Sequence, residues 1–150
     1  MVKYEVISAL VLIVASVVLH GMGLGALMRY ANWRWTALAE KASFVWDIRA
    51  VTEIFLYMIL LHFAECCVWA EFYRWKGFFR DFESSLYFSI TSYSTLGYGD
   101  LLLPKWWRVL GSTEAILGIL TFGWSTAVLV TLTARLNAIR LARLQNEVQG

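Results

Sequence analysis

The stretch Thr95-Leu96-Gly97-Tyr98-Gly99-Asp100 decides the fold of this chain. It directly follows a run with helix-compatible composition, residues 83–94, and it lies between two long apolar segments. Its two glycines stand at alternate positions, where the backbone can adopt angles that residues with a Cβ atom resist. The surrounding segment, residues 76–105, is too polar and too short to cross a bilayer. It must therefore enter and leave on one side of the membrane, which requires protein or water around it.

The composition of the chain is that of a membrane protein. Hydrophobic residues make up 59% of its 150 residues and charged residues only 16%, whereas soluble domains carry about 25% charged residues. A formal net charge of +2, with no basic patch among aromatics, argues against a nucleic-acid partner. Cys66 and Cys67 are adjacent and cannot bridge one another within a helix. The sequence contains no metal-ligand motif, and we expect no cofactor.

Three segments are long enough to span a bilayer, which takes about 20 apolar residues in a helix. They are residues 6–28, 50–75 and 107–135. We therefore predict one domain, residues 1–150, in which residues 83–100 form a re-entrant loop and residues 136–150 a short tail. The first span could instead be a signal peptide, since Lys3 precedes its apolar core, but its length favours a retained helix. The predicted fold is an all-α membrane protein.

The quoted stretch resembles the selectivity-filter signature of the potassium channel family, usually written T-V-G-Y-G-D, with Leu96 in place of valine. The resemblance covers residues 81–133. In such a filter, rings of backbone carbonyls replace the hydration shell of K⁺. The implied K⁺ ligands are the carbonyls of Thr95, Leu96, Gly97 and Tyr98 with the Thr95 hydroxyl, while Gly99 completes the filter and Asp100 lies at its outer mouth. The chain has one filter motif, so the resemblance also implies a homotetramer with fourfold symmetry.

Three residues of the preceding helix are candidate supports for the filter. Tyr87 and Phe88 occupy positions where well-studied bacterial members have two tryptophans that brace the filter. The Tyr87 hydroxyl can reach Asp100, whereas Phe88 offers no hydrogen bond to Tyr98. Thr91 stands where some relatives have a glutamate.

Two glycines of the third span are candidates for a gating hinge. Gly118 lies where the family places its hinge glycine, and Gly123 follows five residues later. Close packing of small residues between helices accounts for both equally well. The same packing explains Gly21, Gly23 and Gly25 in the first span better than nucleotide binding, since no strand precedes them.

Ionisable side chains within the spans form a candidate pH-sensitive cluster. His62 and Glu65 lie three residues apart on one helical face, and Glu114 lies on the third span. Such groups at membrane depth usually face protein or water. A hydrogen-bonded packing cluster explains them without any role in gating.

The distribution of Lys and Arg weakly favours a cytoplasmic carboxyl terminus and an extracytoplasmic filter. We expect a multi-pass protein of a plasma membrane, the inner membrane of a bacterium. Its predicted function is passive, potassium-selective conduction, with no catalytic residue, and its expected partners are its own copies, the lipid bilayer and K⁺. The alternatives are a non-conducting channel subunit with a degenerate filter and an inverted pore that enters from the cytoplasm. A membrane enzyme is the weakest reading, because only His62 with Glu65 approaches a catalytic pair.

Overall fold

The computed structural model describes residues 2–38 and 44–149, and all regular structure in these two ranges is helical. The chain forms α1 (Val2–Leu38), α2 (Phe44–Trp75), α3 (Phe82–Tyr93) and α4 (Arg108–Gln149). A single 3-10 turn, Lys105–Trp107, leads into α4. The residues between α3 and this turn form an irregular loop that contains the glycine pattern.

Three of these helices are long and apolar enough to cross a membrane. The stretches are Tyr4–Arg34, Val45–Trp75 and Lys105–Ala142, so the prediction of an all-helical fold with three segments long enough to span a membrane is confirmed for the described residues. Only 22%, 28% and 33% of their most hydropathic windows are buried inside the chain. Most apolar side chains of the spans therefore need lipid or another chain to cover them.

The helices extend beyond the spans predicted from hydropathy. α1 continues to Leu38 and α4 to Gln149, because polar residues can prolong a helix that the apolar core has nucleated. At 1.5 Å per residue α4 is about 63 Å long, twice the bilayer core. It passes through Gly118 and Gly123 without interruption.

The short helix α3 has well-defined ends. The Asp81 carboxylate accepts a 2.7 Å hydrogen bond from the Ser84 amide, which caps the helix and lowers the pKa of Asp81. The helix ends at Tyr93, and Thr95 then adopts a left-handed φ of 61°. α3 packs against both α2 and α4, and its carboxyl end leads directly into the loop.

Two apolar clusters hold the helices together. The first joins α1, α2 and α4 through Leu24, Leu27, Ala31, Ile54, Met58, Leu61, Val128 and Leu132. The second includes α3 as well, through Ala9, Leu12, Trp69, Tyr73, Phe88, Leu103, Leu110 and Leu117. The second cluster includes Leu103 of the loop and therefore attaches the loop to the packed helices.

Polar contacts fix how α1 lies along the other helices. The buried Glu5 carboxylate accepts a 3.2 Å hydrogen bond from the Leu110 amide, one of the unpaired amides at the start of α4. At the other end, Arg34 of α1 donates to Glu53 of α2 at 3.2 Å. Glu53 also accepts from Arg49 at 3.0 Å. The amino end of α1 therefore lies beside the loop.

Candidate functional site

The loop after α3 has an alternating backbone conformation. Thr95, Gly97 and Gly99 have φ values of 61°, 53° and 78°, and neither Leu96 nor Tyr98 between them has a positive φ. A positive φ is accessible to glycine at little cost but rare for other residues. Thr95 adopts one nonetheless, so the alternation begins two residues before the first glycine.

Backbone hydrogen bonds hold the inner part of this loop against the end of α3. The Thr95 amide donates to the Ser92 carbonyl at 2.9 Å, and the Gly97 amide donates to the Thr91 carbonyl at 3.0 Å. The buried Thr91 hydroxyl donates in turn to the Phe88 carbonyl at 3.0 Å. The helix end and the start of the loop thus form one hydrogen-bonded unit.

The expected contact between Tyr87 and Asp100 is confirmed. The Tyr87 hydroxyl donates a 2.8 Å hydrogen bond to Asp100 Oδ2, and this bond raises the pKa of Tyr87 above its ordinary value. It joins the amino-terminal half of α3 to the outer end of the loop. The Phe88 ring packs instead against Tyr73 and Phe79, with ring centroids 5.2 and 5.1 Å away.

The loop side chains find few partners within the single chain. Every residue of 95–100 is exposed, and the exposed fractions of Leu96 and Tyr98 are 54% and 65%. Beside the loop lies a cavity of about 380 Å³ that includes Thr95, Gly97 and Gly99 in its lining. Leu96 has one methylene more than the valine of the family signature, but within one chain its side chain is exposed and not crowded.

Gly118 is the place where α4 comes closest to the end of α3. A Cβ atom built on Gly118 would overlap the Tyr93 carbonyl oxygen and lie 2.9 Å from its carbonyl carbon. A Cβ on Gly123 would meet no atom within 4 Å. The two hinge candidates therefore differ in their packing. Gly118 packs closely against the Tyr93 backbone, whereas the Gly123 position has open space within the chain.

A closed ring of polar side chains lies beside Gly118, with one or two members from each of the four helices. Glu65 of α2 contacts His20 of α1 at 2.7 Å and accepts a hydrogen bond from Tyr93 of α3. Tyr93 lies 2.9 Å from His62 Nδ1. Ser125 of α4 closes the ring, 3.0 Å from His62 Nε2 and 3.3 Å from His20 Nε2.

The third member of the expected cluster has different partners. The buried Glu114 carboxylate accepts hydrogen bonds from Tyr73 at 2.7 Å and from Ser89 at 2.5 Å. The structure thus forms two networks where we expected one: His62 lies with Glu65, while Glu114 anchors α4 to α2 and α3. The pH sensitivity expected of these three residues stays a prediction.

Sequence reasoning missed the partners that complete the ring. His20 stands out in the sequence as the sole titratable residue of the first predicted span, but nothing there indicates its pairing with Glu65. The sequence shows no metal-ligand motif either, yet the fold brings ligand atoms of His20, His62 and Glu65 within 4.8 Å of one another. Among the described residues these three are therefore the ones that could hold a metal ion.

Comparison with known protein families identifies a family for this chain. A family model described as ion channel matches residues 49–135, more than half of the chain. The matched range begins in α2, includes α3 and the loop, and ends within α4. No curated protein and no solved structure compared with the chain gives a match.

Proposed function

The chain belongs to the ion channel family, and from this premise we propose that it is a potassium-selective channel whose filter is the loop 95–100. The observation that carries the proposal is the alternation of φ between Thr95 and Gly99. In a regular strand, successive carbonyls point to opposite sides. Inverting φ at every second residue turns alternate peptide planes over, so that a row of carbonyls can face one axis. Such a row is the group that replaces the hydration shell of K⁺.

The exposure of the loop supports assembly of four chains around that axis. A single loop offers carbonyls from one side only, so it cannot surround an ion. Four copies with cyclic symmetry close the ring, and the side chains of Leu96 and Tyr98, exposed in one chain, would then pack against neighbouring copies. In this assembly α3 is a re-entrant pore helix, and Tyr98 is a strut between chains.

The direction of α3 suits a cation. The carboxyl end of the helix, at Tyr93, leads directly into the loop, and the helix dipole places about half a negative charge at that end. A potassium ion on the inner side of the filter would be stabilised by four such ends. Asp100, held by Tyr87, would add negative charge at the outer mouth.

The same proposal gives the protein a place in the cell and a role without catalysis. We infer a plasma membrane, the inner membrane of a bacterium, with the filter on the extracytoplasmic side and the end of α4 in the cytoplasm. The chain would act as a passive channel and not as an enzyme. It would require its own copies, lipid and K⁺, without a cofactor.

The test is potassium and sodium flux from liposomes that contain the purified protein. The wild type should conduct K⁺ well above Na⁺, and Gly97→Ala should lose selective flux because a Cβ opposes the positive φ at that residue. Gly77→Ala is the matched control. Gly77 also has a positive φ, 71°, and open space around its Cβ position, but it lies in the turn after α2.

The outcomes separate the proposal from its alternatives. Selective flux in the wild type and in Gly77→Ala, with loss in Gly97→Ala, supports the filter. Wild-type selectivity in Gly97→Ala would overturn the filter assignment. A wild-type protein that assembles but conducts neither ion would instead favour the non-conducting subunit.

A further inference from the structure

A polar ring lies outside the filter loop and takes no part in the proposed ion conduction. It consists of His20, His62, Glu65, Tyr93 and Ser125. Its ionisable side chains are shielded from solvent, since His20 and Glu65 are fully buried and only 12% of the His62 side chain is exposed. Polar and ionisable groups at membrane depth are costly unless they bind something or one another.

The hydrogens available to the ring are one too few. Five contacts close it: His20 with Glu65, Glu65 with Tyr93, Tyr93 with His62, and Ser125 with each histidine. Each needs one hydrogen, but neutral imidazoles, two hydroxyls and an ionised carboxylate supply four. The ring can therefore accept one further cation, either an additional proton or a metal ion.

The histidines are oriented as metal ligands require. Both Nε2 atoms face the single Ser125 oxygen, whose two lone pairs can accept from both N–H groups. In that tautomer both Nδ1 atoms are unprotonated, and they lie 2.7 and 3.9 Å from the Glu65 carboxylate oxygens. Metal-ligating histidines are commonly held in this way, because a partner on the second nitrogen fixes the tautomer and the ring orientation.

We propose that His20, His62 and Glu65 bind a divalent metal ion of the zinc type, held between α1 and α2. Two imidazoles and a carboxylate are a donor set that zinc uses in proteins, with bonds of about 2.0–2.2 Å. Tetrahedral ligand atoms are then about 3.3 Å apart. Two different Glu65 oxygens lie 2.7 Å from His20 Nδ1 and 3.9 Å from His62 Nδ1, so shifts of about half an ångström would bring both distances to this value. Ligand atoms of all three residues already lie within 4.8 Å of one another.

The Tyr93 hydroxyl is close enough to two of the three ligands to serve as a fourth donor. It is 2.9 Å from His62 Nδ1 and hydrogen-bonded to Glu65 Oε2. His62 is the exposed edge of the site and lies beside Phe122, with ring centroids 4.5 Å apart, so an ion would enter past these two rings. A bound ion would tie α1 and α2 to Tyr93, two residues before the loop begins.

Zinc binding to the purified chain in detergent tests the proposal without any measurement of ion flux. Protein stripped with a chelator should retain one zinc per chain after zinc is added and the excess removed. Its thermal unfolding temperature should rise with zinc concentration, because the ion binds the folded state. His62→Gln should lose the bound zinc and the rise together.

Three further variants keep the result interpretable. Ser125→Ala leaves all three ligands in place but removes the hydroxyl that contacts Nε2 of His20 and of His62, so zinc affinity should fall about 10- to 100-fold. If His62→Gln fails to fold, this variant tests the proposal in its place. Two control variants change other possible ligands on α2, the helix of His62 and Glu65. Glu71→Gln removes an exposed carboxylate, and Cys67→Ser removes a thiol. Both should bind zinc as the wild type does.

Two results would overturn the metal site. A wild-type chain that retains no zinc would mean that the ring accepts at most an additional proton. Unchanged zinc binding in both His62→Gln and Ser125→Ala, or loss in Cys67→Ser alone, would place the metal elsewhere.

Discussion

Replacing Gly118 with alanine tests whether close packing of α4 on the end of α3 supports the loop. The new Cβ would overlap the Tyr93 carbonyl oxygen and lie 2.9 and 3.3 Å from the Tyr93 carbonyl carbon and Cα. These are backbone atoms, which cannot rotate away as a side chain can. Overpacking of this kind costs about 1–3 kcal/mol, while alanine in a helix gains about 1 kcal/mol over glycine. We expect a net destabilisation of up to about 2 kcal/mol.

Gly123→Ala is the control within the same helix. Its Cβ would meet no atom within 4 Å in the chain, so the helix preference should remain and stabilise the protein by up to about 1 kcal/mol. For a chain of this size 1 kcal/mol corresponds to about 2–4 °C in unfolding temperature. The unfolding temperature in detergent should therefore fall below that of the wild type in Gly118→Ala and rise above it in Gly123→Ala.

A functional measurement separates packing from hinge bending at Gly118. Displacement of α4 would move Tyr93, and with it the adjoining filter loop, so potassium flux should fall in Gly118→Ala together with stability. If Gly118→Ala unfolds at or above the wild-type temperature, the packing argument is wrong. Slower opening without loss of stability would identify Gly118 as a hinge.

Two further predictions concern the side chains around the loop. Tyr87→Phe removes the hydrogen bond to Asp100 and should shorten single-channel openings. The control is Tyr30→Phe, which removes an exposed tyrosine contact to Glu53 at the opposite end of the helices and should leave open times unchanged. Equal open times in Tyr87→Phe and wild type would contradict the proposed support of the loop by Tyr87. Glu114→Ala leaves the buried Tyr73 hydroxyl without its acceptor, at about 1–3 kcal/mol, whereas the Ser89 hydroxyl keeps the Cys66 carbonyl as an acceptor. The unfolding temperature of Glu114→Ala should therefore fall below that of Glu114→Gln, which keeps a polar partner for Tyr73. Equal unfolding temperatures would show that the Tyr73 bond adds nothing.

The properties that the sequence alone determined are local. Three spans follow from the hydropathy of continuous segments, because a bilayer requires about 20 apolar residues in a row. The positive φ at Gly97 and Gly99 follows from backbone sterics at single residues. The contact of Tyr87 with Asp100 joins positions only 13 residues apart, across one helix and the loop that follows it.

The polar networks were decided by the tertiary structure. His20 and Glu65 are 45 residues apart in sequence, and Ser125 is 105 residues from His20. Whether such side chains meet depends on the rotation and depth of each helix against its neighbours. Those are set by apolar packing and by close approaches such as that of Gly118 to Tyr93, which no periodicity within one helix specifies. For this reason the sequence could single out His62, Glu65 and Glu114 as buried polar residues, but only the packed helices could divide them between two networks.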